Sequence, residues 1–511
     1  MSDWTSGYVA DLSYTYGYYS ELNPQRIKHL FLHAGLQYPK ITSVCELGFG
    51  QGISINLHAA ASPIAWHGTD FNPAQAAFAQ ELAEASGAEI SVYDDDFSSF
   101  AKREELPDFD FIGLHGIWSW INDENRTALV DFIRRKLKAG GVLYISYNTL
   151  PGWGSFAPMR HLMAEHAEIM GAHGSGIVTR IDEALAFSES LLALNPIFSR
   201  ANPQIAERMK NIKDQNRRYL AHEYFNRDWH PMYFSTLANR LASAKLTYAC
   251  SANPLDHVDV INLTDEQQQF LKSIPDDVFR ETVRDFMTNQ QFRRDYWVKG
   301  TRRLAVPEQN ELIRRMRMVL VAHRADVSLQ VKGALGEAGL SEAVYNPLLD
   351  YMADHKVKTI GEIEQYMRGK SINFLQVKQA CMVLMGTGQM AVAQDEAEIQ
   401  TAKKMTDRLN GYIMQKAMGN GEINYLASPV TGGGISVSRF QQLFLAALQK
   451  SKRTPTECAQ VVWQLLSVQG QKIIKEGKTL GSEEENIREL TEQATVFMEK
   501  QWPILKALQI A

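Results

Sequence analysis

At 511 residues the chain is long enough for roughly two to four domains with sizeable cores. Its composition, 45% hydrophobic and 22% charged, is that of an ordinary globular protein, and a formal charge of −5 gives no general attraction to nucleic acid or to a membrane surface. No apolar run approaches the roughly 20 residues that span a bilayer, and the opening MSDWTSGYVADLSY lacks the regions of a signal peptide. Cys45, Cys250, Cys381 and Cys458 are too scattered to form a metal-ligating pair, so reduced, mostly buried thiols in a cytoplasmic protein are expected, with no metal.

From residue 41 to 150, short strand-like runs alternate with helical ones. ITSVCELGF reads as a buried strand ending in a glycine turn, and ISINLHAAA as a helix. IAWHGTD is a second strand, followed by the helix PAQAAFAQELAEASG with Pro73 in its first turn. EISVYDDD and DFDFIGLHG read as the third and fourth strands, and GVLYISYN as the fifth. Between the last two, NRTALVDFIRRKLKAGG places Leu129, Phe132, Ile133 and Leu137 on one face and is expected to end on its glycines. Repeated β-α units of this length predict an α/β fold, a doubly wound, mostly parallel sheet covered by helices.

Beyond residue 160 the signals become mainly helical. HPMYFSTLANRLASAKLTYACSA (230–252) reads as a helix and a strand that could return the chain to the sheet, making about 156–220 an insertion. After about 265 strand signals almost vanish. The basic clusters Arg293–Arg294, Arg302–Arg303 and Arg314–Arg317 are expected on a solvated face or domain interface, because acids are interspersed and aromatics sparse. Residues 344–394 suggest three helices and a hairpin, GTGQMAVAQ, like a winged helix. Its third helix carries too little positive charge to read DNA. ASPVTGGGIS (427–436) reads as a flexible connection, its glycines lacking the Lys-Ser/Thr of a phosphate loop. The expected division is an N-terminal arm or lid (1–40), a core (41–265) with its insertion, a helical remainder (266–330), a winged-helix-like unit (331–396) and a helical C-terminal domain (397–511).

The turn CELGFGQG carries the functional signal. Gly48, Gly50 and Gly52 leave no Cβ between backbone and ligand. The run is G-x-G-x-G rather than the dinucleotide G-x-G-x-x-G, and Glu46 before it would face a pyrophosphate unfavourably. A cationic, phosphate-free ligand suits it, and S-adenosylmethionine carries both an ammonium and a sulfonium. Asp70 ends the second strand, where it can accept both ribose hydroxyls or else cap the helix before Pro73, as Asn72 equally could. Asp96-Phe97 ends the third, where an aspartate can meet the adenine amino group. In the triplet Asp94-Asp95-Asp96 the register stays open, as does a plain polar turn. All three features fall at the carboxyl edge of the sheet, where open α/β sheets bind ligands.

ExGxGxG with these two acidic strand ends resembles a class I S-adenosylmethionine-dependent methyltransferase. LHGIWSW (114–120) and SYNTLPGW (146–153) narrow the resemblance to a bacterial family whose methyltransferase core precedes a methyltransferase regulatory domain. HEYFNRDWHPMYF (222–234), RDFMTNQQFRRDYW (284–297) and ASPVTGGG resemble later segments of that family. The resemblance spans most of the chain and is specific over 41–153 and 222–297. It implies a Rossmann-like core followed by mainly helical domains. It also implies a tyrosine-rich N-terminal lid, YTYGYYSELNP, although a surface arm is as simple a reading. Members acting as lysine methyltransferases on outer-membrane proteins imply a protein substrate.

Methyl transfer from a sulfonium is an in-line displacement in which the protein contributes positioning and electrostatics. A lysine acceptor, with a reference pKa of about 10.4, must be held as the neutral amine. His115, after strand four, could contact the cofactor, accept a proton or bond a turn. Trp118, with Trp120, could wall the acceptor channel or simply cover the sheet edge. Tyr147 and Asn148, after strand five, could orient an amine on the same rim or serve turn chemistry. The alternatives are a small-molecule N- or O-methyltransferase whose helical appendages make a homodimer, a non-catalytic S-adenosylmethionine-binding regulator and, more distantly, a dehydrogenase.

Overall fold

The computed structural model describes residues 15–171, 174–451 and 454–511; the first 14 residues of the expected N-terminal arm therefore lie outside the described residues. Seven strands make one sheet: β1 (Ser43–Leu47), β2 (Ala65–Thr69), β3 (Ile90–Tyr93), β4 (Phe109–Leu114), β5 (Leu137–Asn148), β6 (Thr247–Ser251) and β7 (Phe292–Val298). Their order is β3-β2-β1-β4-β5-β7-β6. The first five are parallel, and β7 runs antiparallel between β5 and β6. The expected doubly wound α/β core is thus present, and HPMYFSTLANRLASAKLTYACSA does return the chain to the sheet through Phe234–Ala242 and β6. The seventh strand lies beyond 265, where the sequence showed helical signals alone. FRRDYWV is dominated by charged and aromatic residues, and as a strand it pairs with β5 on one side and β6 on the other.

Strand alternation distributes side chains between two cores. On β5, Val142 and Tyr144 join the core that also holds Val44 and Phe111, whereas Leu143, Ile145 and Tyr147 join Phe109, Phe132 and Leu237 on the other face. The helix after β4 spans Asp123–Lys136, with Asn122 accepting the Asn125 N–H as its N-cap. It does not end on glycine as expected. Leu137 is already extended, because it pairs with Phe109 to begin β5, and Gly140 instead turns the chain at φ 79° within the strand's irregular start.

The helix Ile53–Ala61 is buried over its whole circumference. One side lies on the sheet, and the C-terminal helix Glu396–Ala417 covers the other, sharing a core of Ile53, Leu57, Ala60, Leu409 and Ile413. Each such side chain contributes about 1.5–3 kcal/mol on full burial. ASPVTGGGIS is not a flexible connection. Tyr425–Ser428 and Gly433–Ser436 form an antiparallel hairpin whose tip is buried against the core. Asn23 Nδ2 donates to the Thr431 carbonyl at 2.9 Å, the His58 ring lies 3.3 Å from that of Gly432, and Gln394 Nε2 donates to that of Pro429 at 2.7 Å. The glycines are there because Tyr18 and Leu57 leave no room for a Cβ at Gly433 and Gly434.

In the 344–394 stretch three helices form, but Met390–Ala393 pairs with the distant strand Arg317–Leu320 rather than within a hairpin. The helix Phe374–Gly386 buries Val377, Cys381 and Leu384, a packing role in keeping with its low charge. Arg293, expected on a solvated face or interface, is 6% exposed and enclosed by Glu281, Asp285 and Asp295. All four cysteines are buried and none is in a disulfide. No helix among the described residues is long and apolar enough to cross a membrane.

Candidate active site

The order of the sheet reverses between β1 and β4, the switch point at which a crevice opens along the carboxyl edge. The glycine turn forms one side of it. Gly48, Gly50 and Gly52 have φ of 72°, 58° and 71°. A Cβ at Gly48 would lie 2.4 Å from the side chain of Ile117, and one at Gly52 2.4 Å from Ala79. The turn is held by Gly48 N–H donating to the Thr69 carbonyl at 2.8 Å and by Gly50 N–H donating to Asp70 Oδ2 at 2.8 Å.

Asp70 is therefore not the helix cap; Asn72 is, accepting from the Ala74 and Gln75 N–H groups. Asp70 Oδ1 accepts the Asn72 N–H at 3.1 Å, so each carboxylate oxygen holds one bond and keeps a lone pair for the crevice it lines. Burial pushes the Asp70 carboxyl up to about 6, against the two N–H donors. Glu46 lies deeper, 2% exposed, and its Oε2 has no hydrogen-bond partner among the described residues. Burial, with the nearby Asp70 charge adding, drives its carboxyl well above the usual range. At the end of β3, Asp96 caps the short helix Phe97–Phe100 by accepting from the Ser99 N–H at 2.8 Å, and it also lines the crevice together with Asp95 and Phe97.

His115 follows β4 and lines the crevice. Its ring stacks on Tyr19 with centroids 3.5 Å apart, and its Nδ1 lies 2.8 Å from the Tyr144 hydroxyl. Burial, only partly opposed by Glu21, lowers it to about 4, so the ring is neutral at physiological pH. Thr15, Gly17 and Tyr19 of the N-terminal segment complete this side. The Tyr19 backbone is fixed by its N–H donating to Ser54 Oγ at 2.8 Å.

Five residues singled out in the sequence do not line the crevice: Glu46, Gly52, Trp118, Tyr147 and Asn148. Trp118 is fully buried and its Nε1–H points at Met232 Sδ, 3.2 Å away; Trp120 lines the crevice instead. Tyr147 is on the opposite face of β5 from Tyr144, as period-two alternation requires, and its hydroxyl donates to Asp295 at 2.9 Å. Asn148 is 5% exposed, its Oδ1 accepting from Trp153 Nε1 and its N–H donating to Ser119. Sequence spacing located the strand end correctly but not which side chains it turns toward the ligand.

The far wall is one that sequence reasoning passed over: His222 and Glu223 on the helix Arg217–Tyr224, and Asp228 just after it. The signal lay in HEYFNRD, an acidic pair beside a histidine at the end of the insertion. The resulting cavity of about 400 Å³ is lined by six carboxylates, Asp70, Asp95, Asp96, Glu124, Glu223 and Asp228, and by no lysine or arginine among the described residues. No group of described residues could hold a metal ion. A glycine cradle without side chains and the absence, among the described lining residues, of any phosphate-binding cation together fit a cationic, phosphate-free nucleoside such as S-adenosylmethionine.

Sheet and crevice define a class I methyltransferase, and comparison with known proteins agrees. Residues 44–141 match a methyltransferase domain model and residues 216–299 a predicted methyltransferase regulatory domain. An uncharacterized protein of Synechocystis sp. is 40% identical over 99% of this chain and 100% of its own length. A second, from Rickettsia prowazekii, is 28% identical over 54% of this chain and 49% of its own. Among solved structures, PKMT2 of Rickettsia typhi in complex with AdoHcy superposes with a TM-score of 0.71 over 98% of this chain and 100% of that one, at 15% identity. The chain belongs to the same family as the Synechocystis protein, that of S-adenosylmethionine-dependent methyltransferases carrying a methyltransferase regulatory domain.

Proposed function

We propose that this methyltransferase methylates a protein lysine side chain. The observation that carries the reading is the charge of the cavity: six carboxylates and no described cation favour an acceptor that arrives as an ammonium. The helical wall gives the crevice a second side outside the cofactor-binding sheet. The fold shared with PKMT2 along nearly the whole chain adds support. Gly48, Gly50 and Gly52 give the cofactor close backbone approach, Asp70 accepts its ribose hydroxyls, Asp96 and Phe97 meet its adenine, and Glu46 and His115 flank its amino-acid end. When bound, the cofactor supplies an electrophilic methyl group; the chain positions it and excludes water.

Incubation with methyl-labelled S-adenosylmethionine and an outer-membrane protein extract is expected to yield labelled Nε-methyllysine after acid hydrolysis. Label confined to small metabolites, or to oxygen, would reject the protein-lysine assignment. A pH prediction follows from Asp70. The cofactor's hydroxyls bond the ionised carboxylate more strongly, and this carboxyl holds its proton up to about 6. Affinity for S-adenosylmethionine is therefore expected to rise with pH, by about tenfold between pH 5 and 7, and to level off above that. Calorimetric titrations at pH 5, 6, 7 and 8 check the slope; affinity that falls over this range contradicts it.

A further inference from the structure

The six carboxylates of the cavity are not equivalent. Asp70 and Asp96 are bonded to backbone N–H groups, and Asp95 is paired with Arg103. Glu124 is exposed in the first turn of its helix, and Asp228 has His230 at 3.4 Å and Arg227 at 3.7 Å. Glu223 is half-buried, and no described residue donates to it or pairs with it. It also comes from the helix Arg217–Tyr224, outside the sheet that carries the glycine turn, and lines the same cavity as that turn.

We propose that Glu223 is the catalytic base that binds the acceptor ammonium and takes its proton, so that the region matched as regulatory supplies part of the active site. This rests on the amine reading above. The ammonium gives one proton to the Glu223 carboxylate and becomes the neutral amine. The amine lone pair then forms the new N–C bond as the methyl group's bond to the donor sulfur breaks, that electron pair remaining on sulfur. The product leaves as a methylammonium, and the proton on Glu223 returns to solvent. Burial holds the Glu223 carboxyl up to about 7, between that of an ordinary glutamate and that of the amine, where a base working near neutrality is most effective. A bare surface glutamate would be too weak a base, and an ion-paired one would not accept the charge.

The test compares wild type, Glu223→Gln and Glu223→Asp by the rate of methyllysine formation in the outer-membrane extract from pH 6 to 10, with calorimetric affinity for S-adenosylhomocysteine measured on each. Wild type is expected to rise to a plateau above about pH 7. Glu223→Gln should be at least a hundredfold slower at pH 7 and lose the plateau, its deficit shrinking about tenfold per pH unit as the ammonium deprotonates unaided. Glu223→Asp should keep the plateau at a reduced rate, and all three should bind S-adenosylhomocysteine within threefold of one another. A Gln variant with the wild-type profile, or a loss that tracks weakened S-adenosylhomocysteine binding, overturns the base assignment alone. No methyllysine from wild type at any pH overturns the amine reading and the base with it.

Discussion

Asp70→Asn is expected to weaken S-adenosylmethionine binding by roughly a hundredfold or more. The carboxylate accepts from two backbone donors, Gly50 N–H at 2.8 Å and Asn72 N–H at 3.1 Å, one on each oxygen. An amide has a single acceptor oxygen, so in either orientation its NH2 meets one of those N–H groups donor to donor. If the clash falls at Gly50, the glycine turn loses the bond that fixes its second residue. If it falls at Asn72, the start of the following helix is disturbed instead. Either way, under the proposed ribose contact, one of the two hydroxyls would meet a donor in place of an anion, and bonds to a charged group are worth about 1.5–3 kcal/mol each. The rise in affinity between pH 5 and 7 should also disappear, since the titrating group has gone. Calorimetry on wild type and variant at two pH values reads both effects. A variant within threefold of wild type at pH 7 would show that Asp70 serves the turn and not the ligand.

The parts of this molecule legible in its sequence are those determined over short spans. CELGFGQG needs only a strand, three positive-φ glycines and a helix start, all within a few residues, and the structure has them. Asp70 could be placed at the crevice because it directly follows β2, and Asp96 because it lies three residues beyond β3. Tyr147 and Asn148 failed for a different reason. A strand end exposes a rim, but whether a given side chain faces the ligand or the core depends on what covers each face, and Met232 and Asp295, which cover this one, come from far along the chain. Glu223 was missed on a similar ground: HEYFNRD shows a histidine and two acids, but nothing near it in sequence says that its helix lines the crevice. The triple glycine was misread because its partners are some 400 residues away. Asn23 bonds Thr431, and His58 connects the Gly432 and Tyr19 carbonyls, which links the C-terminal hairpin to the segment that stacks on His115.

Arg293→Met is the substitution expected to cost the fold most, about 3–5 kcal/mol. The guanidinium donates to Asp285 at 2.6 Å, to Asp295 and Glu281 at 2.9 Å, and to the Tyr248 hydroxyl at 3.2 Å, and it lies 4.3 Å from the Phe234 ring. Asp295 also accepts from Tyr147, so the cluster joins β7 to β5 and to the helix Asp277–Thr288. Methionine fills much of the volume but leaves two buried carboxylates without a cation. They can remain buried by taking protons. Even beside Arg293, burial pushes the Asp285 carboxyl up to about 7, and without the arginine it must rise further. A carboxyl whose folded value lies above its unfolded one loses stability as pH climbs through that interval. The variant's deficit should therefore be smaller at pH 5, where protonation is easy, and larger at pH 8. Adding Asp285→Asn should restore part of the loss by removing one of the stranded charges. Urea midpoints for the three proteins at pH 5 and 8 decide the matter. A deficit below 1 kcal/mol, or one equal at both pH values, would mean that the carboxylates escape to water when the arginine is gone, and that the cluster does not anchor the regulatory region to the sheet.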